Sequence, residues 1–161
     1  MSEGTDRVRD LNLLKEIEGD PDITQASLAT RLGVAIGTVN WHLKRLIARG
    51  YVKVKKAERR KLRYLITSEG ISLRAKLAAA HVENSMALYR QTRRKAIEAL
   101  AAARREGYAS VHIVGEGDIA EVCRLTCLEQ GFSVTEDGRN ADVPILEIDG
   151  LEISLRPPAR E

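Results

Sequence analysis

Hydrophobic residues recur at two different periods along the chain, and the change of period separates two kinds of segment. Over residues 7–49 they recur every three or four positions, which predicts three amphipathic helices. Residues 1–5 are expected to be disordered, the first helix to span residues 7–18 behind an Asp6 cap, and the second to span residues 25–32 behind a Thr24 cap. The third helix is expected to end at Gly50, and its apolar stripe consists of Val39, Leu43, Leu46 and Ile47.

After Gly50 the period shortens to two, which predicts β-strands. The runs 51–54 and 62–66 are expected to pair as a hairpin around the basic tip, residues 55–61. Three helices followed by a two-stranded hairpin are the order of a winged helix-turn-helix, in which the third helix enters the major groove of DNA.

The polar side of the third helix has the chemistry that a major-groove reader needs. Hydrogen-bonding groups near its N-terminal end would meet base edges, and cations further along would meet phosphates. An ordinary amphipathic helix with a solvated polar face is the alternative. The candidate DNA-binding residues on this helix are Gly37, Thr38, Asn40, Trp41, Lys44, Arg45 and Arg49.

Three kinds of contact are expected from these side chains. Asn40 can make a bidentate pair with adenine. Trp41 can stack on a sugar or pack on a thymine methyl group, or it can pack against the hairpin without touching DNA. Lys44, Arg45 and Arg49 are expected to hold phosphates.

The hairpin tip is strongly basic. From Arg49 to Arg63 there are eight cations against the single anion Glu58. A solvated run of charge is one interpretation, but the place of the run directly after a reading helix favours contact with the DNA backbone or the minor groove. The candidate DNA-binding residues of the hairpin are Lys55, Lys56, Arg59, Arg60 and Lys61.

Charge is divided unevenly along the chain. Residues 1–106 hold 22 Lys and Arg against 12 Asp and Glu, a net charge of +10, whereas residues 107–161 hold 4 against 11, a net charge of −7. The first part is therefore expected to attract a polyanion such as double-stranded DNA. No apolar run is long enough for a membrane span or a signal peptide, which predicts a cytoplasmic protein with no membrane partner.

The segment LATRLGVAIGTVNWHLKRLIARGYVKVK, followed by KLRYLITSEG, resembles the MarR-type winged-helix regulators, in particular the branch associated with exopolysaccharide genes. The resemblance covers roughly residues 7–105, and it implies a homodimeric transcriptional regulator that is more often a repressor. One departure is Ala35, where relatives usually have a serine that caps the recognition helix. Because alanine has no hydrogen-bonding side chain, the start of this helix is expected to lack the cap that relatives have.

Residues 71–106 contain almost no helix breaker and are rich in alanine, which predicts a long helix with an optional break near Asn84 and Ser85. Some 30 helical residues extend about 45 Å, more than a small winged domain covers. The helix either packs on its own domain or joins two copies of the chain, and the second interpretation is favoured because symmetric DNA readers bind paired half-sites.

Residues 107–161 are expected to form a strand, a helix, a strand and then a hairpin around Asp149 and Gly150. Gly115, Gly117 and Glu136 resemble the phosphate-binding glycines and ribose-binding acid of a dinucleotide fingerprint, which would make a nucleotide the effector. Against a ligand, the acids beside the glycines would repel a phosphate, and the turn needs glycine in any case. A plain accessory domain is the favoured interpretation.

Catalytic and metal chemistry are not predicted. Cys123 and Cys127 lie on one helical face, where core packing is favoured over redox or metal sensing. The histidines have no metal-ligand spacing, and no nucleophile–base pair is evident, so neither a metal nor a resident cofactor is expected. A nucleotide sensor or enzyme centred on the C-terminal part, and a winged protein-interaction adaptor that does not bind DNA, are the competing classes.

The predicted fold is therefore α+β: an N-terminal winged helix-turn-helix, a long connecting helix and a small C-terminal βαββ domain. The expected domains are residues 1–70 for DNA binding, 71–106 for the linking or dimerisation helix, and 107–161 for the accessory domain.

Overall fold

The computed structural model describes residues 3–135 and 142–158, without the side chain of Arg60. It divides into two compact units, residues 1–83 and 84–161. The predicted domain boundaries at residues 70 and 106 differ from this division, and they stay predictions about independent folding. The helices are α1 (Glu3–Gly19), α2 (Gln25–Leu32), α3 (Ile36–Ala48), α4 (Ser68–Arg105) and α5 (Asp118–Glu129). The strands are β1 (Val52–Lys56), β2 (Leu62–Ile66), β3 (Ser110–Val114), β4 (Ser133–Thr135), β5 (Ile145–Asp149) and β6 (Glu152–Arg156).

The first unit has one aliphatic core beneath α3. Leu14 of α1, Leu28 of α2 and Leu43 of α3 meet there and are fully buried, with Tyr64 of β2 against them. β1 and β2 pair antiparallel over all five residues of each strand, as the alternation predicted. This core fixes α3 against two helices and a hairpin, so the opposite face of α3 is turned to solvent.

The first helix begins earlier than the sequence pattern suggested. α1 starts at Glu3 rather than at Arg7, and Asp6 lies within it instead of capping it. The expectation of disorder over residues 1–5 is therefore wrong for residues 3–5. Glu3 and Asp6 are acids in the first turn, where the helix dipole stabilises negative charge, which accounts for the extra turn.

The helix after the hairpin is unbroken. α4 runs continuously through Asn84 and Ser85, so the optional break at these residues does not occur. Its start is fixed by Thr67, whose hydroxyl accepts a hydrogen bond from the Gly70 amide at 3.1 Å. An added Cβ at Gly70 would lie only 2.1 Å from the Tyr51 carbonyl oxygen, so this first turn needs glycine for close approach.

The second unit contains a four-stranded sheet in the order β4-β3-β5-β6. β3 pairs in parallel with β4 and with β5, and β6 closes the sheet antiparallel to β5. Its core joins the C-terminal part of α4 and α5 to the sheet, through Leu100 of α4, Cys123 of α5 and Leu146 of β5. The predicted βαβ unit and the hairpin after it are thus confirmed. Together they contain four strands, one more than the notation βαββ counts. No helix of the described residues is long and apolar enough to cross a membrane.

Candidate nucleic-acid interface

Two local signals set the position of α3. Gly33 ends α2 in the left-handed conformation (φ 63°), and its amide donates to carbonyls in the last turn of α2. Ala35 occupies the N-cap position of α3 in an extended conformation and makes no side-chain cap hydrogen bond. The turn therefore depends on the glycine, and the start of α3 lacks the cap expected in relatives.

The outward face of α3 has few hydrogen-bonding groups. Successive residues are offset by about 100° around a helix, so the positions opposite the buried Val39 and Leu46 are 37, 41, 44 and 48. All four are exposed, and Trp41 retains 52% of its accessible surface. Of the predicted base-reading residues, Thr38 and Asn40 lie on the flanks of this face and are half-buried.

Asn40 is held by neighbouring elements. Its side-chain amide donates to the Gln25 carbonyl oxygen at 3.1 Å, and the Gln25 amide donates in turn to the Tyr64 hydroxyl at 3.1 Å. This chain connects α3 to α2 and to β2. One face of the Asn40 amide is therefore committed within the protein, and the bidentate pair with adenine stays a prediction.

Arg45 already has anionic partners. Its guanidinium donates to Asp10 at 2.5 Å and lies 4.0 Å from Asp6, both on α1. Asp10 also contacts the buried His42 ring at 2.7 Å between Nδ1 and Oδ1. The predicted phosphate contact of Arg45 stays a prediction, but it would compete with a carboxylate that is mostly buried.

Trp41 is positioned by the same cluster. The Arg45 guanidinium lies 4.5 Å from the indole centroid, and the His42 ring meets the indole edge-to-face at 4.8 Å and 89°. A cleft of about 360 Å³ adjoins the indole, between Gly37 and Thr38 of α3 and Asp6 and Arg9 of α1. The indole therefore lies at the surface, in contact with Arg45 and His42.

The hairpin presents its cations to solvent. Lys55, Lys56, Arg59 and Lys61 are exposed, and Arg59 reverses the chain at the tip in the left-handed conformation (φ 60°, ψ 39°). The side chain of Arg60 lies outside the described part of the structure. Across residues 3–135 and 142–158, the cations that make no ion pair within 4.0 Å include Lys44, Arg49, Lys53, Lys55, Lys56, Arg59 and Lys61.

One hairpin cation is used structurally. The Arg63 guanidinium forms a two-bond contact with the Asp22 carboxylate at 2.8 and 2.9 Å, and β2 also donates from the Tyr64 amide to the Pro21 carbonyl. The hydrogen bond from Arg63 and its positive charge lower the pKa of Asp22. This pair ties the base of the hairpin to the loop between α1 and α2.

Comparison with known families agrees with this geometry. Residues 7–53 match the family model described as winged helix-turn-helix DNA-binding, and the structure adds the second wing strand beyond the matched segment. The first unit is a winged helix-turn-helix. The winged-helix part of the sequence resemblance is thereby confirmed.

Solved structures give partial likenesses. A MarR protein from Peptoclostridium difficile aligns with 23% identity and a TM-score of 0.41, over 48% of this chain and 51% of that one. Streptococcus pneumoniae FabT in complex with DNA aligns with 25% identity and a TM-score of 0.40, over 49% of this chain and 59% of that one. The chain thus spans only about half to three fifths of these proteins, and the winged-helix assignment does not depend on them. Comparison with curated proteins gave no match.

Several residues beside the winged helix were missed by the sequence analysis. Asp10, Gln25 and Tyr64 hold the α3 side chains, yet nothing in local spacing pairs them with residues 15 to 39 positions away. His42 offered a usable signal, since it falls on the apolar stripe of α3 and so had to be buried with a polar partner.

The glycines of the second unit have a packing explanation. Gly115 has a φ of 145°, and an added Cβ would lie 2.8 Å from Cβ of Ile148 on the neighbouring strand. Gly117 has a φ of 85° and an open surrounding, and Glu136 lies outside the described residues. The turn needs glycine without any ligand, and the nucleotide effector stays a prediction. A thermal-shift screen with nucleotides tests this prediction, because a ligand at 100 times its Kd raises the free energy of unfolding by about 2.7 kcal/mol.

Cys123 and Cys127 are core residues. Both are fully buried on α5, and burial raises the pKa of each thiol to about 11. Protonated, inaccessible thiols are poor nucleophiles and poor metal ligands. Among the described residues no group of three or more His, Cys, Asp and Glu side chains is arranged to hold a metal.

Proposed function

We propose that the protein is a MarR-type transcriptional regulator that binds double-stranded DNA as a homodimer and acts as a repressor. The observation that carries this proposal is the set of exposed cations on α3 and the wing that have no anionic partner among the described residues. They flank the helix that a winged helix-turn-helix inserts into the major groove. The description of the matched family, winged helix-turn-helix DNA-binding, supports the same class.

The dimer is supported by apolar side chains that α4 leaves in water. Val82 and Met86 are more than 45% exposed, and the exposed Tyr89 follows at helical spacing. Large apolar groups repeated along one helix are typical of a surface that another chain covers. A second copy is the partner proposed, since two recognition helices would bind two half-sites. Val82→Glu should shift the protein towards monomer in sedimentation velocity, whereas Glu83→Gln should leave it unchanged.

DNA binding is tested first by enrichment from a random pool. Incubation of the protein with random duplexes should enrich one sequence motif, repeated as two half-sites if the protein is a dimer. Failure to enrich any motif would contradict a sequence-specific regulator and leave the adaptor class. Enrichment of a single unrepeated motif would contradict the dimer alone.

The wing is tested by the salt dependence of binding. Each neutralised phosphate makes the slope of log affinity against log salt steeper by about 0.9, so the double variant Lys55→Gln, Lys56→Gln should make the slope less steep by about 1.8. Lys76→Gln, which removes one exposed cation from α4, is the control and should leave the slope unchanged. Equal slopes for the wild type and the wing variant would show that Lys55 and Lys56 do not contact phosphate.

A further inference from the structure

We propose that Trp41 is the specificity-determining residue of the recognition helix and that it reads the 5-methyl groups of thymine. Asp10 and Arg45 act as positioning residues that hold the indole in place. This inference rests on the proposed DNA-binding function and specifies what the helix recognises.

α3 can offer few hydrogen-bonding groups to base edges from the centre of its outward face. The outward positions are Gly37, Trp41, Lys44 and Ala48, and their side chains offer only donors, the indole N–H of Trp41 and the ammonium of Lys44. At the flank, the Asn40 side-chain amide donates one hydrogen bond to Gln25. The largest surface at the centre of the reading face is therefore the apolar indole.

An apolar surface in the major groove can recognise the methyl group of thymine. In the major groove, thymine displays a methyl group where the other three bases display only donors, acceptors or a ring C–H. An apolar surface discriminates by burying that methyl group, which is favourable by roughly 0.8 kcal/mol per carbon, or about fourfold in affinity. Trp41 has about half of its surface free for such a contact, and no other side chain on this face has a comparable apolar area.

Arg45 and His42 fix the orientation of the indole. Asp10 binds the guanidinium of Arg45 at 2.5 Å, and Arg45 lies 4.5 Å from the indole centroid. His42, which is buried and contacts the same carboxylate, meets the indole edge-to-face. The indole is thus ordered before DNA arrives, and binding loses less side-chain entropy than it would with a free tryptophan.

The ion pair explains why Arg45 is better described as a positioning residue than as a phosphate contact. Its charge is matched by Asp10 and Asp6, whereas Lys44 of the same helix and Arg49 at its C-cap have no such partner among the described residues. A planar guanidinium can bind a carboxylate and stack flat on an aromatic face at once, whereas an ammonium can keep the ion pair but cannot stack.

The test uses the duplex enriched from the random pool, synthesised once with thymine and once with uracil in its place. Uracil keeps every hydrogen-bonding group and removes only the methyl. The wild type should bind the thymine duplex about fourfold more tightly for each methyl that the indole covers. Trp41→Ala should bind both duplexes equally, and Trp41→Phe should retain part of the preference. Lys44→Ala, which changes the neighbouring outward residue, should lower the affinity for both duplexes by the same factor.

A second readout distinguishes positioning from general destabilisation. Trp41 is the only tryptophan in the chain, so its fluorescence reports on this site alone. Arg45→Ala should lower the fluorescence anisotropy of the free protein and reduce its preference for thymine. Arg45→Lys, which keeps the ion pair, should retain part of that preference. The thymine duplex should change the emission of the wild type.

Failure of this inference can be distinguished from failure of the proposed function. Equal binding of the thymine and uracil duplexes by the wild type, or a preference that survives Trp41→Ala, would overturn the inference while leaving DNA binding intact. In that case stacking of Trp41 on a sugar would account for any change in emission. Failure of the pool to yield a motif would overturn the proposed function and this inference with it.

Discussion

Replacing Gly70 with alanine should destabilise the first unit strongly. The new methyl carbon would lie 2.1 Å from the Tyr51 carbonyl oxygen and 2.7 Å from Cγ2 of Ile66, well inside van der Waals contact. The nearest atom belongs to the backbone, so relief of the clash requires the start of α4 to move away from Tyr51. That carbonyl also accepts the Thr67 amide at 3.1 Å, and the movement would weaken this hydrogen bond.

The magnitude follows from these two costs. Overpacking of this kind costs about 1–3 kcal/mol and a lost hydrogen bond adds about 1 kcal/mol, so the expected loss is about 2–4 kcal/mol. Urea unfolding followed by Trp41 fluorescence measures it, because the only tryptophan lies in the first unit. Gly37→Ala is the matched control. It adds the same methyl group to α3 with no atom within 4 Å, and it should stabilise the unit by about 0.5–1 kcal/mol.

The result that would refute this reasoning is equal stability of the Gly70→Ala and wild-type proteins. It would mean that α4 begins farther from β1 than the described contact. A loss of stability in Gly37→Ala would refute the assignment of Gly37 to an open helical face. The same variant is informative for DNA, because the added methyl group lies on the outward face of α3.

Three further predictions concern the caps, the ion pairs and the thiols. Ala35→Ser supplies the missing cap of α3 and should raise the stability of the first unit by about 1 kcal/mol in urea unfolding; no gain would mean that the cap geometry is closed to a side chain. The pKa of Asp22 is lowered in the fold, so its stabilising effect is present above the unfolded pKa and is lost as the pH falls through the folded value. Arg63→Gln should therefore flatten the acid limb of stability measured against pH, and an unchanged limb would contradict the role of the pair. Cys123 and Cys127, with pKa values raised to about 11, should react with Ellman's reagent at pH 8 only after unfolding, and rapid labelling of the native protein would contradict their burial.

The elements that the sequence predicted well are those fixed by local chemistry. Thr24 caps α2 through the Ser27 amide, and Gly33 ends α2 in the left-handed conformation, both within a few residues of the pattern that indicated them. The wing hairpin followed from alternation of apolar and polar residues. The glycine motif at Gly115 could not be interpreted from the sequence, because either a bound phosphate or close backbone packing can require glycine. The contact that supports packing is with Ile148, which is 33 residues away.

The candidate interface was predictable in its charges but not in their partners. Exposed lysines at the wing tip follow from composition and turn position alone. Arg45 looked equivalent to Lys44, yet it faces Asp10 across the groove between α1 and α3, 35 positions earlier. A helical wheel separates these two residues by about 100°, but only tertiary packing reveals which side faces a carboxylate.

The unbroken helix α4 belongs to both hydrophobic interiors. Leu73 and Leu77 pack into the first, whereas Ala96, Leu100 and Ala103 pack into the second. A chimera joined at residue 106 would separate Ala96, Leu100 and Ala103 from the C-terminal core in which they are buried. A junction inside the helix, near residue 84, should leave both cores complete, because the exposed turns there belong to neither.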